Sequence, residues 1–304
     1  GVKDKTLLVI TGPTASGKTA LAVDLALSLN TEIVSADSRQ MFRDIPIGTA
    51  QPSAEELAAV RHHLIGFLPL DAYYSASVFE KEVTQTLLPD IFSRSDYAVM
   101  VGGSMLYIDA VTKGLDAIPD ISPEVRAAAH NLLETSGLDA VREELRRLDP
   151  AYFARADLNN TSRMVHALEV CRQTGVPYSS LLTGRRADRP WRTVVVALNP
   201  PRDVLFDRIN RRVDAMISAG LEEEAARCYP LRHLNSLNTV GYKELFAMMD
   251  GTLDRDTAIA RIGKNTRVYA KKQLTWLRRD PDAVAFLDPA QPAAPQALAL
   301  LNKV

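Results

Sequence analysis

The sequence predicts an α/β fold, a parallel sheet flanked by helices with an all-helical insertion domain, and three observations carry that expectation. Gly12-Pro13-Thr14-Ala15-Ser16-Gly17-Lys18-Thr19 fits the phosphate-binding pattern G-x-x-x-x-G-K-[ST]. Its setting fits as well: residues 7–10 form an apolar run of strand type, and Leu21, Leu25 and Leu29 follow at helical spacing. Similar apolar runs then recur with helical patterns between them. Together these define a P-loop NTPase-like architecture.

Taken in order, the strand at 7–10 delivers the chain into a turn whose backbone N–H groups converge on one point. The helix N-terminus adds partial positive charge and Lys18 a full one, so a di- or triphosphate is the expected ligand. Thr19 offers its hydroxyl to a bound Mg2+. A second strand at 32–36 leads into Asp37-Ser38-Arg39-Gln40, and a third at 97–101 into Gly102-Gly103-Ser104. Val99-Met100-Val101 and Val194-Val195-Val196 are continuous apolar runs, as parallel strands covered on both faces require.

The texture changes over 119–187, where 123–134, 138–148 and 161–174 each read as helix and Gly175 with Pro177 stops the last. The core is thus expected at 1–118 and 188–304, with 119–187 inserted. The strand at 193–198 ends at Asn199. Leu205, Ile209, Val213 and Met216 trace a helix face, and a further helix covers 256–279. Ligands of open parallel sheets sit beyond the carboxyl ends of the strands. The phosphate loop, 37–40, 102–104 and Asn199 should therefore converge.

Composition narrows the class. At 304 residues, 46% hydrophobic and 24% charged, the chain can bury a full core, and no run reaches transmembrane length. The first residues lead straight into a strand and leave no room for a signal peptide, so a cytoplasmic protein is expected. Cys171 and Cys228 have no metal spacing and read as reduced thiols. The net charge is −1, but it divides as −4 over residues 1–100, 0 over 101–200 and +3 over 201–304. A uniformly basic nucleic-acid binder is excluded, and any polyanion site is local and towards the C-terminal part.

At the strand ends, Asp37 can ligate Mg2+ or act as a general base, or it can cap the segment that follows. Ser38, Arg39 and Gln40 add a hydroxyl, a fork donor and an amide. The strand at 97–101 ends in glycines, where many loop-bearing ATPases carry an Asp that helps to hold Mg2+ and orient water. No Asn-Lys-x-Asp tetrad reads guanine. Arg208, Arg211 and Arg212 either reach the phosphates or form a solvated face with Asp207. On the helix at 256–279, Ile262, Tyr269 and Trp276 share one stripe, while Lys264, Arg267, Lys271 and Arg278 lie nearly opposite. Such a basic stripe suits a phosphate backbone, or is a solvated face.

Taken together, these residues resemble the bacterial tRNA dimethylallyltransferases (tRNA isopentenyltransferases, the IPP transferase family) over nearly the whole chain. The likeness lies in the phosphate loop, Asp37-Ser38-Arg39-Gln40-Met41-Phe42, Ile47-Gly48-Thr49-Ala50 and Gly102-Gly103-Ser104-Met105-Leu106-Tyr107. It continues in Ala167-Leu168-Glu169-Val170, Val240-Gly241-Tyr242-Lys243-Glu244 and residues 266–276. The resemblance implies transfer of a dimethylallyl group from dimethylallyl diphosphate to the exocyclic amine of the adenine just 3′ of the tRNA anticodon. It implies that Gly12, Pro13, Thr14, Ala15, Ser16, Gly17, Lys18 and Thr19 bind the diphosphate, with Mg2+ at Thr19.

Asp37 is then the base, with Ser104 and Arg208 as further catalytic residues. Asp37, Ser38, Arg39, Gln40 and Ser104 hold the adenine. The tRNA anticodon stem-loop is expected against Arg126, Thr161, Ser162, Arg163, Met164 and Val165 of the insertion. Gly241, Tyr242, Lys243, Lys264, Arg267 and Lys271 are its expected contacts in the core. The chain departs from the family pattern at Ser104 for Thr, Ser162 for Gln, His166 for Arg, Phe42 for Tyr and Gln51 for Lys. The implied protein is a monomer without membrane contact. Two other functions share these motifs: a small-molecule phosphotransferase, and a non-catalytic RNA-binding nucleotide switch.

Overall fold

Six parallel strands form one sheet in the order β3-β2-β4-β1-β5-β6. They are β1 (Thr6–Thr11), β2 (Ile33–Ser35), β3 (His62–His63), β4 (Tyr97–Val101), β5 (Arg192–Ala197) and β6 (Ala285–Phe286). The computed structural model describes residues 4–115, 120–182 and 188–303. All six residues of β1 are buried, as a central strand with helices on both faces demands. Ile10 pairs with Val101 on one side and Val196 on the other, and Ser35 pairs with Val101. The carboxyl ends of β1, β2, β4 and β5 therefore finish level. Leu8, Ile10, Ile33, Val99 and Val101 pack against Leu21 and Leu25 of the Lys18–Ser28 helix, which ties the helix behind the phosphate loop to the sheet.

Strands β3 and β6 have two residues each. A pair is too short to show alternation, so the sequence gives no sign of them.

The chain divides into two units, one of Gly1–Tyr74, Glu82–Ile108 and Arg189–Val304, the other of Ser75–Lys81 and Asp109–Asp188. The second takes in 75–81 and 109–115, which the sequence reading left with the sheet. The ends placed at 118/119 and at 187 lie outside the described residues. In this unit Pro123–Leu148 is one helical stretch broken at Gly137 (φ 80°, ψ 176°), the point between the two helices read from sequence. Thr161–Thr174 closes on Gly175 in the left-handed region.

Met164 and Val165 are 0% and 4% exposed and pack with Val141, Leu145 and Leu168. This corrects their expected contact with tRNA, because they are the apolar face of the helix on which Thr161, Ser162 and Arg163 are exposed.

Glu169 on the same helix is 7% exposed. Burial pushes its carboxyl up to about 7, against the pull of Arg126. The folded form thus holds the proton more tightly than an unfolded glutamate, which titrates near ~4.3. Its stabilising contribution is full below that value and is lost as pH rises through about 7. Melting temperatures should therefore fall between about pH 5 and about pH 8, and Glu169→Gln should flatten the dependence. An equally steep curve in the variant would assign the effect elsewhere.

Candidate active site

The phosphate loop has the strain that a ligand cradle needs. Gly17 (φ 92°) takes the N-cap position of the Lys18–Ser28 helix without a side-chain cap, so the first N–H groups of the helix stay available to an anion. Ala15 sits at φ 64°, a left-handed conformation that costs a non-glycine residue about 1–3 kcal/mol and persists where the surroundings enforce it. Ser16 Oγ is buried and has no hydrogen-bond partner. An orphaned hydroxyl inside the loop is a vacant donor for a phosphate oxygen.

Around this loop the structure gathers cations. Burial brings the Lys18 ammonium down to about 8, with Asp37 opposing the shift and Arg212 adding to it. Arg208 Nη1 donates to Ser16 O and Arg212 Nη1 to Thr14 Oγ1, both at 3.4 Å. From the far side Gln273, 3% exposed, accepts from Thr14 N at 2.9 Å and donates to Gly103 O at 3.2 Å. Gln273 thereby fixes the loop to the end of β4. It lies eleven residues after Ile262, on the same helix face. A polar residue on an apolar stripe is the signal that sequence reading passed over.

Opposite the loop, Asp37 Oδ1 accepts from Arg39 N at 2.9 Å and Gln40 N at 3.1 Å, while Oδ2 carries no hydrogen bond from the described residues. Of the three roles read from sequence the hydrogen bonds bear on the cap, which Oδ1 provides, and they leave Oδ2 over. Ser104 Oγ accepts from Ser38 N at 2.8 Å, and the Arg39 guanidinium lies over the Tyr269 ring at 4.9 Å. Gln40 Nε2 donates to Thr49 O and Ala50 O. Of the two glycines after β4, the first is required by its backbone neighbour and the second leaves room for the Gln273 amide. A Cβ on Gly102 would stand 2.2 Å from Ala36 O, and one on Gly103 2.5 Å from Gln273 Nε2.

The loop and the turn line one cavity of about 420 Å³, which also reaches Ile209, Val213, Met216, Leu221, Val240 and Ile262. Its lining thus combines an anion cradle, polar groups and an apolar pouch. Behind the pouch, Glu224 is fully buried and accepts from Ile47 N, Gly48 N and the Tyr242 hydroxyl. Tyr242 is itself 0% exposed, and a Cβ on Gly48 would meet its hydroxyl at 2.3 Å. The expected tRNA contact at Tyr242 is therefore corrected: the ring is core and the hydroxyl serves Glu224. Gly241 lines the cavity, and Lys243 is exposed.

On the Arg255–Arg278 helix, Lys264, Lys271 and Arg278 are exposed. Arg267 leaves the stripe, because its guanidinium is half-buried and donates to Asn210 Oδ1 at 2.7 Å. Asn199 does not join the main cavity. It lines a second one of about 890 Å³ with Arg208 and Arg211, which shares Ala15, Ser16, Gly17 and Arg212 with the first. In the helical unit, Arg126 is half-buried near Glu169.

Among the described residues no cluster of three or more His, Cys, Asp or Glu is placed to hold a metal. The donors beside the loop are the hydroxyl oxygens of Thr19 and Ser35. Such a set suits Mg2+, which keeps several waters and is shared with substrate phosphates rather than caged by protein. No helix among the described residues is long and apolar enough to cross a membrane, and neither Cys171 nor Cys228 forms a disulfide.

A phosphate loop, an apolar lining and the Asp37 carboxylate share one cavity, the layout of a P-loop protein with room for an apolar group beside a bound phosphate. The chain belongs to the IPP transferase family, whose model matches residues 40–280. It is 50% identical over 280 residues to tRNA dimethylallyltransferase 2 of Parabacteroides distasonis, covering 92% of this chain and 93% of that protein. Among solved structures it is similar to the full-length tRNA isopentenylpyrophosphate transferase of Bacillus halodurans, with 35% identity, TM-score 0.71 and coverage of 99% of this chain and 95% of the other. It is also similar to a eukaryotic dimethylallyltransferase described as acting on tRNA, with 25% identity, TM-score 0.83 and coverage of 98% and 79%.

Proposed function

We propose that this protein transfers a dimethylallyl group from dimethylallyl diphosphate to the exocyclic amine of the adenine 3′ of the anticodon in tRNA. The observation that carries the reading is the one cavity in which an anion cradle, an apolar pouch and an unbonded carboxylate oxygen meet. The diphosphate binds the loop amides, Ser16 Oγ, Lys18 and the Arg208–Arg212 pair. The dimethylallyl chain lies against Ile209, Val213, Met216 and Ile262.

The adenine swings out of the anticodon loop, at a cost of a few kcal/mol at most for an unpaired base, and meets the turn of Asp37, Ser38, Arg39 and Gln40. As the carbon–oxygen bond of the substrate breaks, negative charge grows on the diphosphate, where the fixed cations are waiting. The new carbon–nitrogen bond forms, and Asp37 Oδ2 accepts the proton that the amine releases. Bound at Thr19, Mg2+ would supply further charge neutralisation to the diphosphate.

Thr161, Ser162, Arg163 and Arg126 of the helical unit, with Lys243, Lys264 and Lys271 of the sheet unit, are the proposed contacts to the anticodon stem-loop. The tRNA substrate and the free thiols support a cytoplasmic setting.

The deciding experiment is mass analysis of tRNA nucleosides after incubation with dimethylallyl diphosphate. A prenylated adenosine is expected. Phosphate on an acceptor would favour the phosphotransferase, and binding without product the switch.

Each phosphate contact releases counterions, so tRNA affinity should fall steeply with salt. Lys264→Ala with Lys271→Ala should weaken binding and reduce the log–log salt slope by roughly one to two units. Dimethylallyl diphosphate affinity should not change. An unchanged slope would leave these lysines as a solvated face.

A further inference from the structure

Beside the main cavity lies a small one of about 20 Å³, which shares Lys18, Thr19, Asp37 and Gln40 with it and adds Ser35 and His62. Edge strand β3 brings His62 here. Successive strand residues face opposite sides, and His63 bonds Glu32 Oε1 at 2.8 Å. The His62 ring lines the cavity. Its Nδ1 lies 2.8 Å from Val60 O, so Nδ1 carries the proton and Nε2 is left with a lone pair. That Nε2 is buried and has no hydrogen-bond partner. Burial lowers the His62 pKa, which favours this neutral tautomer. A cavity of this size holds one water molecule when two or more polar groups surround it, and here Thr19, Ser35 and Asp37 accompany the ring.

We propose that a water bonded to His62 Nε2 fills this cavity and is a ligand of the cation beside Thr19, which makes His62 the residue that positions the cation's shell where β4 ends without a carboxylate. The inference rests on the Mg2+ reading above. The water donates one hydrogen to Nε2, and its oxygen stays free for the cation. Metal ligands are oriented by such outer hydrogen bonds, and removal of one typically costs ~10–100-fold in metal affinity.

The test is binding of Mn2+ to the protein in the presence of saturating inorganic diphosphate, followed by electron paramagnetic resonance. His62→Phe keeps the ring shape and removes the acceptor, and should weaken Mn2+ binding about 10–100-fold. His62→Gln returns an acceptor near the same place and should recover most of the affinity. Diphosphate binding measured in chelator should be equal in all three proteins, and their melting temperatures should agree. Wild-type Mn2+ affinity in His62→Phe would overturn the proposal. So would equal weakening of diphosphate binding with and without metal, which would make the residue purely structural. Cation-independent diphosphate binding by the wild type would also overturn it. Prenyl transfer is judged separately, by the nucleoside product, so each reading can fail alone.

Discussion

Asp37→Asn is expected to lower prenyl transfer roughly 10²–10⁴-fold, the usual worth of a general base, while tRNA and dimethylallyl diphosphate affinities stay within a few fold of wild type. The geometry makes this substitution unusually clean. Both structural bonds of the side chain end on Oδ1, where asparagine also presents an oxygen, so the 37–40 turn keeps its caps. The amide replaces only the unbonded Oδ2 and takes away its basicity. Single-turnover rates with labelled substrate measure the effect. Near-normal turnover would demote Asp37 to a turn cap.

Lys18→Ala is the second large effect, and it should split function from stability. The ammonium is buried, which already draws its pKa down to about 8, and among the described residues its one hydrogen bond is a 3.3 Å contact to Pro13 O. A cation held this way costs stability until an anion arrives. Transfer should therefore fall by about 10²–10³-fold or more, as for other groups aimed at transition-state charge, while the ligand-free melting temperature rises. Lys18→Arg should not rescue, since a guanidinium fork does not fit a point-charge position. A variant both inactive and less stable would mean that Lys18 chiefly holds the fold.

The sequence made the middle of the sheet and the anion cradle legible because local rules govern both. Unbroken apolar runs mark β1, β4 and β5, and the glycine spacing of the loop follows from the backbone angles it needs. Strands β3 and β6 exist through pairing with neighbours distant in sequence, and two residues leave no periodic trace. Gln273 and Glu224 escaped notice for a related reason. Each acts on backbone groups far away in the chain, 14 and 103 for one, 47 and 48 for the other. Met164, Val165 and Tyr242 failed as contacts because matching a stretch does not separate its inner face from its outer one. Burial made that separation.

The close packing of Gly102 against Ala36 bears on what this scaffold is able to become. In loop-bearing hydrolases a carboxylate at this strand end helps to orient the attacking water. Here even a single added carbon would press to 2.2 Å from Ala36 O, just past the end of β2, where Ala36 N is tied to Val101 O at 2.7 Å. An aspartate cannot be installed at 102 by one substitution without parting β2 from β4. A carboxylate of that kind is therefore kept from position 102 by the main chain that follows the neighbouring strand.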